Sequence, residues 1–267
     1  MLAPWYRPEN HPHYKSPPVI ETAIALEYGP VAGLDLYRLM RLQDRWAAEY
    51  PRVSDVPGAP PTPVDELTQE MFFIGEPPKR IWAAAADNGL LVQTQSDRLI
   101  LNWRKPETVD PYPGYEVTRP EFIRLWSLLQ AFLQDSGLAT PIPTMAEFTY
   151  VNSVELDEGE TPEDVLVMLR EPESPLPGRE RKARFQFIRA IEPSEADPYT
   201  AQVHVTGETQ PTADASRQRL LFTVVARVLL NAENDAPAGA VDAAHGLATY
   251  TFSKIVSPTK QAKWNGV

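Results

Sequence analysis

The residues best equipped for chemistry stand in three places. Asn102-Trp103-Arg104-Lys105 closes an extended run, Tyr112 and Tyr115 follow a proline-rich connection, and His245 lies far along the chain. Arg104 brings a rigid fork of donors that fits a carboxylate or a phosphate. Asn102 can donate and accept, Trp103, Tyr112 and Tyr115 can wall a cleft, and His245 can hold or pass a proton near neutral pH. Taken as one set, Asn102, Trp103, Arg104, Tyr112, Tyr115 and His245 describe a small-ligand site. The same residues also fit a purely structural account. Trp103 then packs the sheet, Asn102 and Arg104 tie down the loop at 106–113, and His245 is a hydrogen-bonded core residue. Asp242, at i−3, is the local carboxylate that could orient that histidine.

Two charged clusters suggest contacts of another kind. Glu155, Asp157, Glu158 and Glu160, with Glu163 and Asp164 beyond, put six acids into ten residues. They lack the alternation of a calcium-binding EF-hand loop. They read either as a solvated loop or as a docking surface for a basic partner protein such as a nuclease. Arg179, Arg181, Lys182 and Arg184, with Arg189 near, form a short basic patch. It would suit phosphate contacts of a nucleic acid, or it blunts an edge strand with charge. His11-Pro12-His13 is too little for a metal centre. With no cysteine in the chain, disulfides, thiolate zinc sites and cysteine nucleophiles are excluded. No phosphate-binding glycine loop, dinucleotide fingerprint, G-x-S-x-G nucleophile turn or RNA-binding aromatic pair is present. No catalytic residue, metal or cofactor is therefore expected.

The net charge is −11, with 13 basic against 18 acidic residues up to Asp135 and 12 against 18 beyond it. Neither half is basic, which disfavours nonspecific nucleic-acid binding over an extended surface. No apolar run is long enough to span a bilayer, and the first residues lack the basic-then-apolar layout of a signal peptide. A cytoplasmic location is the expectation. The 28 prolines fall mostly in connections, making them stiff rather than floppy.

The elements that must position these residues follow from periodicity. Val19 to Tyr28 alternates as a strand. Leu34 to Tyr50 places Leu36, Leu39, Met40 and Trp46 at helical spacing, and Pro51 stops it. Arg52 to Pro63 is a strand or loop, and Thr68 to Gly75 a short edge element. Arg80 to Lys105 is cut by Asp87-Asn88-Gly89 and Ser96-Asp97 into an antiparallel meander of three runs. Thr118 and Glu121 have the spacing of a capping box, which predicts a helix over 119–136 ending at Gly137. The order then restarts. Thr144 to Leu156 is a strand, and Thr161-Pro162-Glu163-Asp164 a helix start. Arg181 to Ile191, Thr200 to Glu208 and Arg219 to Asn231 are strands. A last helix covers 241–256, with Val241, His245, Ala248, Phe252 and Ile255 on one face.

The fold class expected is α+β. An arm at 1–18 precedes two related halves, 19–139 and 140–267, each a strand, a helix, an antiparallel meander and a helix. Side by side they would give a continuous saddle-like sheet with helices on one face, similar in order to the TATA-binding-protein fold. A closed sheet around a helix is the competing arrangement.

Several segments together resemble a sporadically distributed, uncharacterised bacterial family of similar length. They are Pro18-Val19-Ile20-Glu21, Asp97-Arg98 with Asn102-Trp103-Arg104-Lys105, Tyr112 with Tyr115, Tyr150-Val151-Asn152, and His245, Phe252 and Trp264. Patchy occurrence of that family implies horizontally moved genes, such as defence or toxin-neutralising modules. The expectation is a noncatalytic interaction protein that binds or neutralises a protein partner, docking through Glu155, Asp157, Glu158 and Glu160. The alternative is a small-ligand binder, or an enzyme of unrecognised type, with a cleft near Arg104, Tyr115 and His245. A third reading is a nucleic-acid-contacting subunit of a larger complex.

Overall fold

A computed structural model describes residues 5, 12, 14–59, 79–106, 112–170, 184–194, 199–213, 216–231 and 236–264. In chain order the elements are β1 (Val19–Tyr28), α1 (Leu36–Leu42), β2 (Arg52–Pro57), β3 (Lys79–Ala84), β4 (Leu90–Gln95), β5 (Arg98–Arg104) and α2 (Tyr115–Asp135). Then come β6 (Pro143–Glu155), α3 (Pro162–Val165), β7 (Arg184–Ile191), β8 (Ala201–Pro211), β9 (Gln218–Leu229), α4 (Pro237–Ile255) and α5 (Pro258–Lys263). The strands join one open antiparallel sheet in the order β2-β3-β4-β5-β1-β6-β9-β8-β7. The chain is thus an α+β protein, and the closed-sheet arrangement is set aside.

Alternation along the strands sorts the side chains into two faces. At the centre, β1 pairs Thr22 with Tyr150, Ile24 with Phe148 and Leu26 with Ala146 of β6. The same side of β5 carries Leu99, Leu101 and Trp103, and that of β9 carries Phe222, Val224 and Ala226. These residues are buried. Helices α1, α2 and α4 all pack on this face. The α1 end touches it where Gln43 Nε2 donates to Thr94 Oγ1. Trp126 of α2 meets Tyr28 with ring centroids 5.6 Å apart, and His245 of α4 meets Phe148 at 4.8 Å. The opposite face carries Glu21, Glu27, Arg98, Asn102, Arg104, Glu147 and Arg227, which pair with one another across strands.

Three helices differ from their sequence expectation for identifiable reasons. The helix expected over 34–50 is regular only to Leu42, after which Gln43–Arg45 tightens into a 3-10 turn. Buried Gln43 causes this. Its amide donates to Leu39 O and Thr94 Oγ1, and its carbonyl accepts from Trp46 Nε1. Leu39, Leu42 and Trp46 go inside, whereas Leu36 and Met40 are left exposed. Helix α2 starts one turn before the expected cap. Gly114, at φ 91°, turns the chain into it, and the amides of Val117 and Thr118 both donate to the Gly114 carbonyl. Thr118 is buried inside the first turn rather than capping it, and Glu121 accepts from Tyr50 and Arg124 instead of closing a box. Gly137 does end α2, at φ 66°, with Leu138 N donating to Leu133 O and Gly137 N to Gln134 O, the Schellman arrangement. Helix α4 begins at Pro237, four residues before the periodic run at 241. The capping box at Thr161 and Asp164 forms as its spacing indicates.

Candidate functional site

Four parts of the chain meet over the centre of the helix-covered face. Strand β6 supplies Tyr150, which projects from the sheet toward α4. Helix α4 supplies His245, Thr249 and Phe252, which share one stripe because they are one turn apart. The Gly114 turn delivers Tyr112, Tyr115 and Glu116 at the start of α2. The arm before β1 closes the space with Pro12, Tyr14, Lys15 and Pro17. Between them lies a cavity of about 300 Å³.

The walls are aromatic and are held from behind. The rings of Tyr115 and His245 stack with centroids 3.7 Å apart and planes 5° from parallel. Tyr112 leans on Trp103 at 5.2 Å and presents its edge to Tyr150 at 6.3 Å. Tyr14 meets Phe252 at 5.8 Å and donates from its hydroxyl to Gln261 Oε1. A clamp between the helices fixes the arrangement. Arg119 of α2 grips both carboxylate oxygens of Asp242 on α4, and Tyr115 Oη donates to the same carboxylate at 2.7 Å. Asp242, expected from its i−3 spacing to orient His245, serves this clamp.

Three polar side chains of the lining meet. Tyr150 Oη lies 3.1 Å from His245 Nε2 and 3.3 Å from Thr249 Oγ1, and Thr249 Oγ1 lies 3.2 Å from His245 Nε2. Among the described residues the buried Tyr112 hydroxyl closes no hydrogen bond of good geometry, although Thr118, Thr22 and Tyr150 are near enough to act on it. Burial pushes the Tyr112 and Tyr14 phenols up to about 12. Burial raises Tyr150 well above its ordinary range, and burial followed by the bond to Asp242 raises Tyr115. At neutral pH all four are uncharged phenols. They offer ring faces, donors and acceptors, and no tyrosinate base or nucleophile.

The six residues expected to form one ligand site are divided by the sheet. Tyr112, Tyr115 and His245 line the cavity, and Trp103 supports Tyr112 from below. Asn102 and Arg104 point to the opposite face, because strand neighbours alternate. There Asn102 accepts from Gln93 Nε2 and donates to Glu21 Oε1. Arg104 bonds Glu21 at 3.3 Å and lies 5.3 Å above the Trp82 ring. Neither joins the cavity, and each holds Glu21 of β1. Residues 107–111, part of the loop they were expected to fasten, lie outside the described residues.

Tyr14, Glu116, Tyr150, Thr249 and Phe252 are cavity residues that site reasoning on the sequence did not select. Some signal existed. Thr249 is one helical turn from His245, and Tyr150 and Phe252 belong to the segments that carry the family resemblance.

The charged clusters fare unevenly. Glu155 is exposed at the end of β6, and Glu158 is exposed in the loop after it. Asp157 and Glu160 are occupied within the chain. Lys263 reaches Asp157 at 2.9 Å, and buried Lys260 reaches Glu160 at 2.7 Å, which fastens α5 to the acidic loop. Arg179, Arg181 and Lys182 lie outside the described residues, as do His11 and His13 and the expected element at 68–75. Arg184 opens the edge strand β7 and is exposed, as is Arg189. Among the described residues no group of three or more His, Cys, Asp or Glu is placed to hold a metal ion. No described helix is long and apolar enough to cross a membrane.

No protein-family model matches the chain, and no curated protein matches it.

Proposed function

We propose that this protein is a noncatalytic binding protein whose recognition site is the tyrosine-lined cavity between the arm, α2, α4 and β6. One observation carries the reading. Tyr112 and Tyr115 from the Gly114 turn, Tyr150 from β6 and His245 from α4 converge on a single space of about 300 Å³, with aromatic walls and a joined polar group of Tyr150, His245 and Thr249. That is the layout of a site that sorts small molecules by shape and orients them with a few hydrogen bonds. Neutral phenols and an imidazole engaged with Tyr150 and Thr249 favour binding over reaction. The expected docking of a basic protein on the acidic loop loses support, because Asp157 and Glu160 already have lysine partners.

The family resemblance and an internal duplication belong to the same reading. The sheet order supports the duplication. In each half the last strand lies against the first, β5 beside β1 and β9 beside β6, and the halves meet at β1 and β6. The cavity then sits at the join, where a duplicated fold places unlike residues face to face.

The test is a thermal-shift panel of neutral, cationic and anionic aromatic and aliphatic compounds, run on the wild type and on Thr249→Leu. Leucine fills part of the empty space without burying a new polar group. Binding in the cavity predicts compounds that raise the wild-type melting temperature and leave Thr249→Leu unmoved. A panel that shifts neither protein, or both equally, overturns the reading.

A further inference from the structure

The chemical class of the ligand follows from the charges around the cavity, and this step rests on the binding-site reading above. Beside the His245 imidazole, five phenol and phenyl rings line the space, those of Tyr14, Tyr112, Tyr115, Tyr150 and Phe252. All are uncharged at neutral pH, so each offers the negative face of a ring quadrupole. Glu116 stands among them in the first turn of α2. Its carboxylate has no hydrogen bond and no ion pair among the described residues. It is close enough for its charge to act on the hydroxyls of both Tyr112 and Tyr150. The buried Tyr112 hydroxyl, with no well-formed hydrogen bond among the described residues, adds an acceptor.

What the lining lacks is as informative. Among the described residues no arginine lines the cavity, and the nearby Arg119 is committed to Asp242. Among the described residues the basic lining groups are Lys15, exposed on the arm, and the His245 imidazole, which is engaged with Tyr150 and Thr249. An anionic ligand would meet Glu116 and five ring faces, with a solvated lysine and an imidazole already engaged with Tyr150 and Thr249 in its favour. A cation would meet the rings, the Glu116 carboxylate and the attraction of a chain carrying −11.

We infer that the cavity takes a small organic cation, an alkyl- or arylammonium group seated among Tyr14, Tyr112 and Phe252 with Glu116 as its counter-charge.

The experiment compares an isosteric pair by calorimetry, (2-hydroxyethyl)trimethylammonium and 3,3-dimethylbutan-1-ol, which differ by the charge on one atom. The wild type is expected to bind the ammonium compound about tenfold or more tightly than the neutral alcohol, the ratio that a desolvated cation–π contact with a counter-ion supplies. Glu116→Gln, a change on an exposed side chain, removes most of that preference and leaves the alcohol unaffected. Lys15→Ala acts in the opposite sense and tightens the ammonium compound. If the alcohol binds as well as the ammonium compound, or if Glu116→Gln weakens both alike, the cation assignment falls and the cavity survives as a site for neutral ligands. If an anionic isostere, 3,3-dimethylbutanoate, binds best and Lys15→Ala weakens it, the assignment is reversed in sign. If none of the three binds and the Thr249→Leu panel is also blank, the binding-site reading falls with it.

Discussion

Trp103 and Arg104 are neighbours in sequence, yet their removal should have very different costs. Trp103 is 5% exposed and its ring supports Tyr112 on the helix-covered face. Trp103→Ala leaves a large hole under the cavity wall, and large-to-small changes of this kind cost roughly 3–5 kcal/mol. Arg104 points to the other face with 42% of its side chain exposed. Arg104→Ala forfeits a solvent-screened pairing with Glu21 and a contact with Trp82, together worth about 1 kcal/mol or less. Asn102→Ala falls between. It leaves the buried amide of Gln93 without its acceptor, at about 1–3 kcal/mol. Urea unfolding of the three variants, with unchanged slopes as the check on the folded state, gives the ranking directly. At roughly 2–4 °C per kcal/mol for a chain of this size, Trp103→Ala should lower the melting temperature by about 10 °C. It should also weaken any cavity ligand, because Tyr112 loses its backing. A Trp103→Ala cost under about 1 kcal/mol, or an equal cost for Arg104→Ala, would show that the two-face assignment is wrong.

Gly207→Ala should destabilise by about 1–3 kcal/mol in thermal or urea unfolding. A Cβ there would lie 2.5 Å from the Phe185 ring and 2.9 Å from the backbone oxygen of Leu221. Glu160→Ala takes the 2.7 Å partner from the buried Lys260 ammonium and leaves it Asp157 at 3.8 Å, so it should cost less than the roughly 3–5 kcal/mol of a fully stranded charge, and Lys260→Met should cost less again; equal costs would refute the burial argument. At alkaline pH, Tyr112 should titrate near 12 in the folded protein, against 10.0 for a free phenol, read from the tyrosinate absorbance. A raised folded pKa means stability that is full below pH 10.0 and declines as the pH climbs toward 12, so Tyr112→Phe should move the alkaline unfolding midpoint upward. In acid the sign reverses. Arg124 first, then Tyr50, holds the Glu121 carboxyl below its ordinary range. Stability from that group is lost as the pH falls through its folded value, and Glu121→Gln should flatten the acid limb of a pH–stability curve.

Much of the fold is legible in local pattern. The period of two in Val19–Tyr28 and across the meander reports strands because one face must be apolar. Gly137 ends α2 because only a residue free to take positive φ can close the Schellman turn, and Thr161 with Asp164 signals α3 through its cap. Local pattern misled where a distant partner outbid it. Thr118 and Glu121 have capping-box spacing, but Glu121 meets Tyr50 and Arg124, and Gly114 lets the helix begin a turn earlier. Gln43 ends α1 because its amide finds Thr94 across the core.

The cavity shows the division most clearly. The sequence determined that Tyr112, Tyr115 and His245 were the aromatic and imidazole groups to watch. Its strand alternation already placed Trp103 opposite Asn102 and Arg104, although proximity along the chain argued for a single site. That Tyr14, Tyr112, Tyr150 and His245 share one space follows from long-range packing alone. Those residues are far apart in sequence, and their meeting depends on β1 pairing with β6 and on Arg119 locking α2 to α4. Periodicity reports which side of an element is apolar. It carries no information about which other element that side will face, because that choice is made by long-range packing and not by the local backbone.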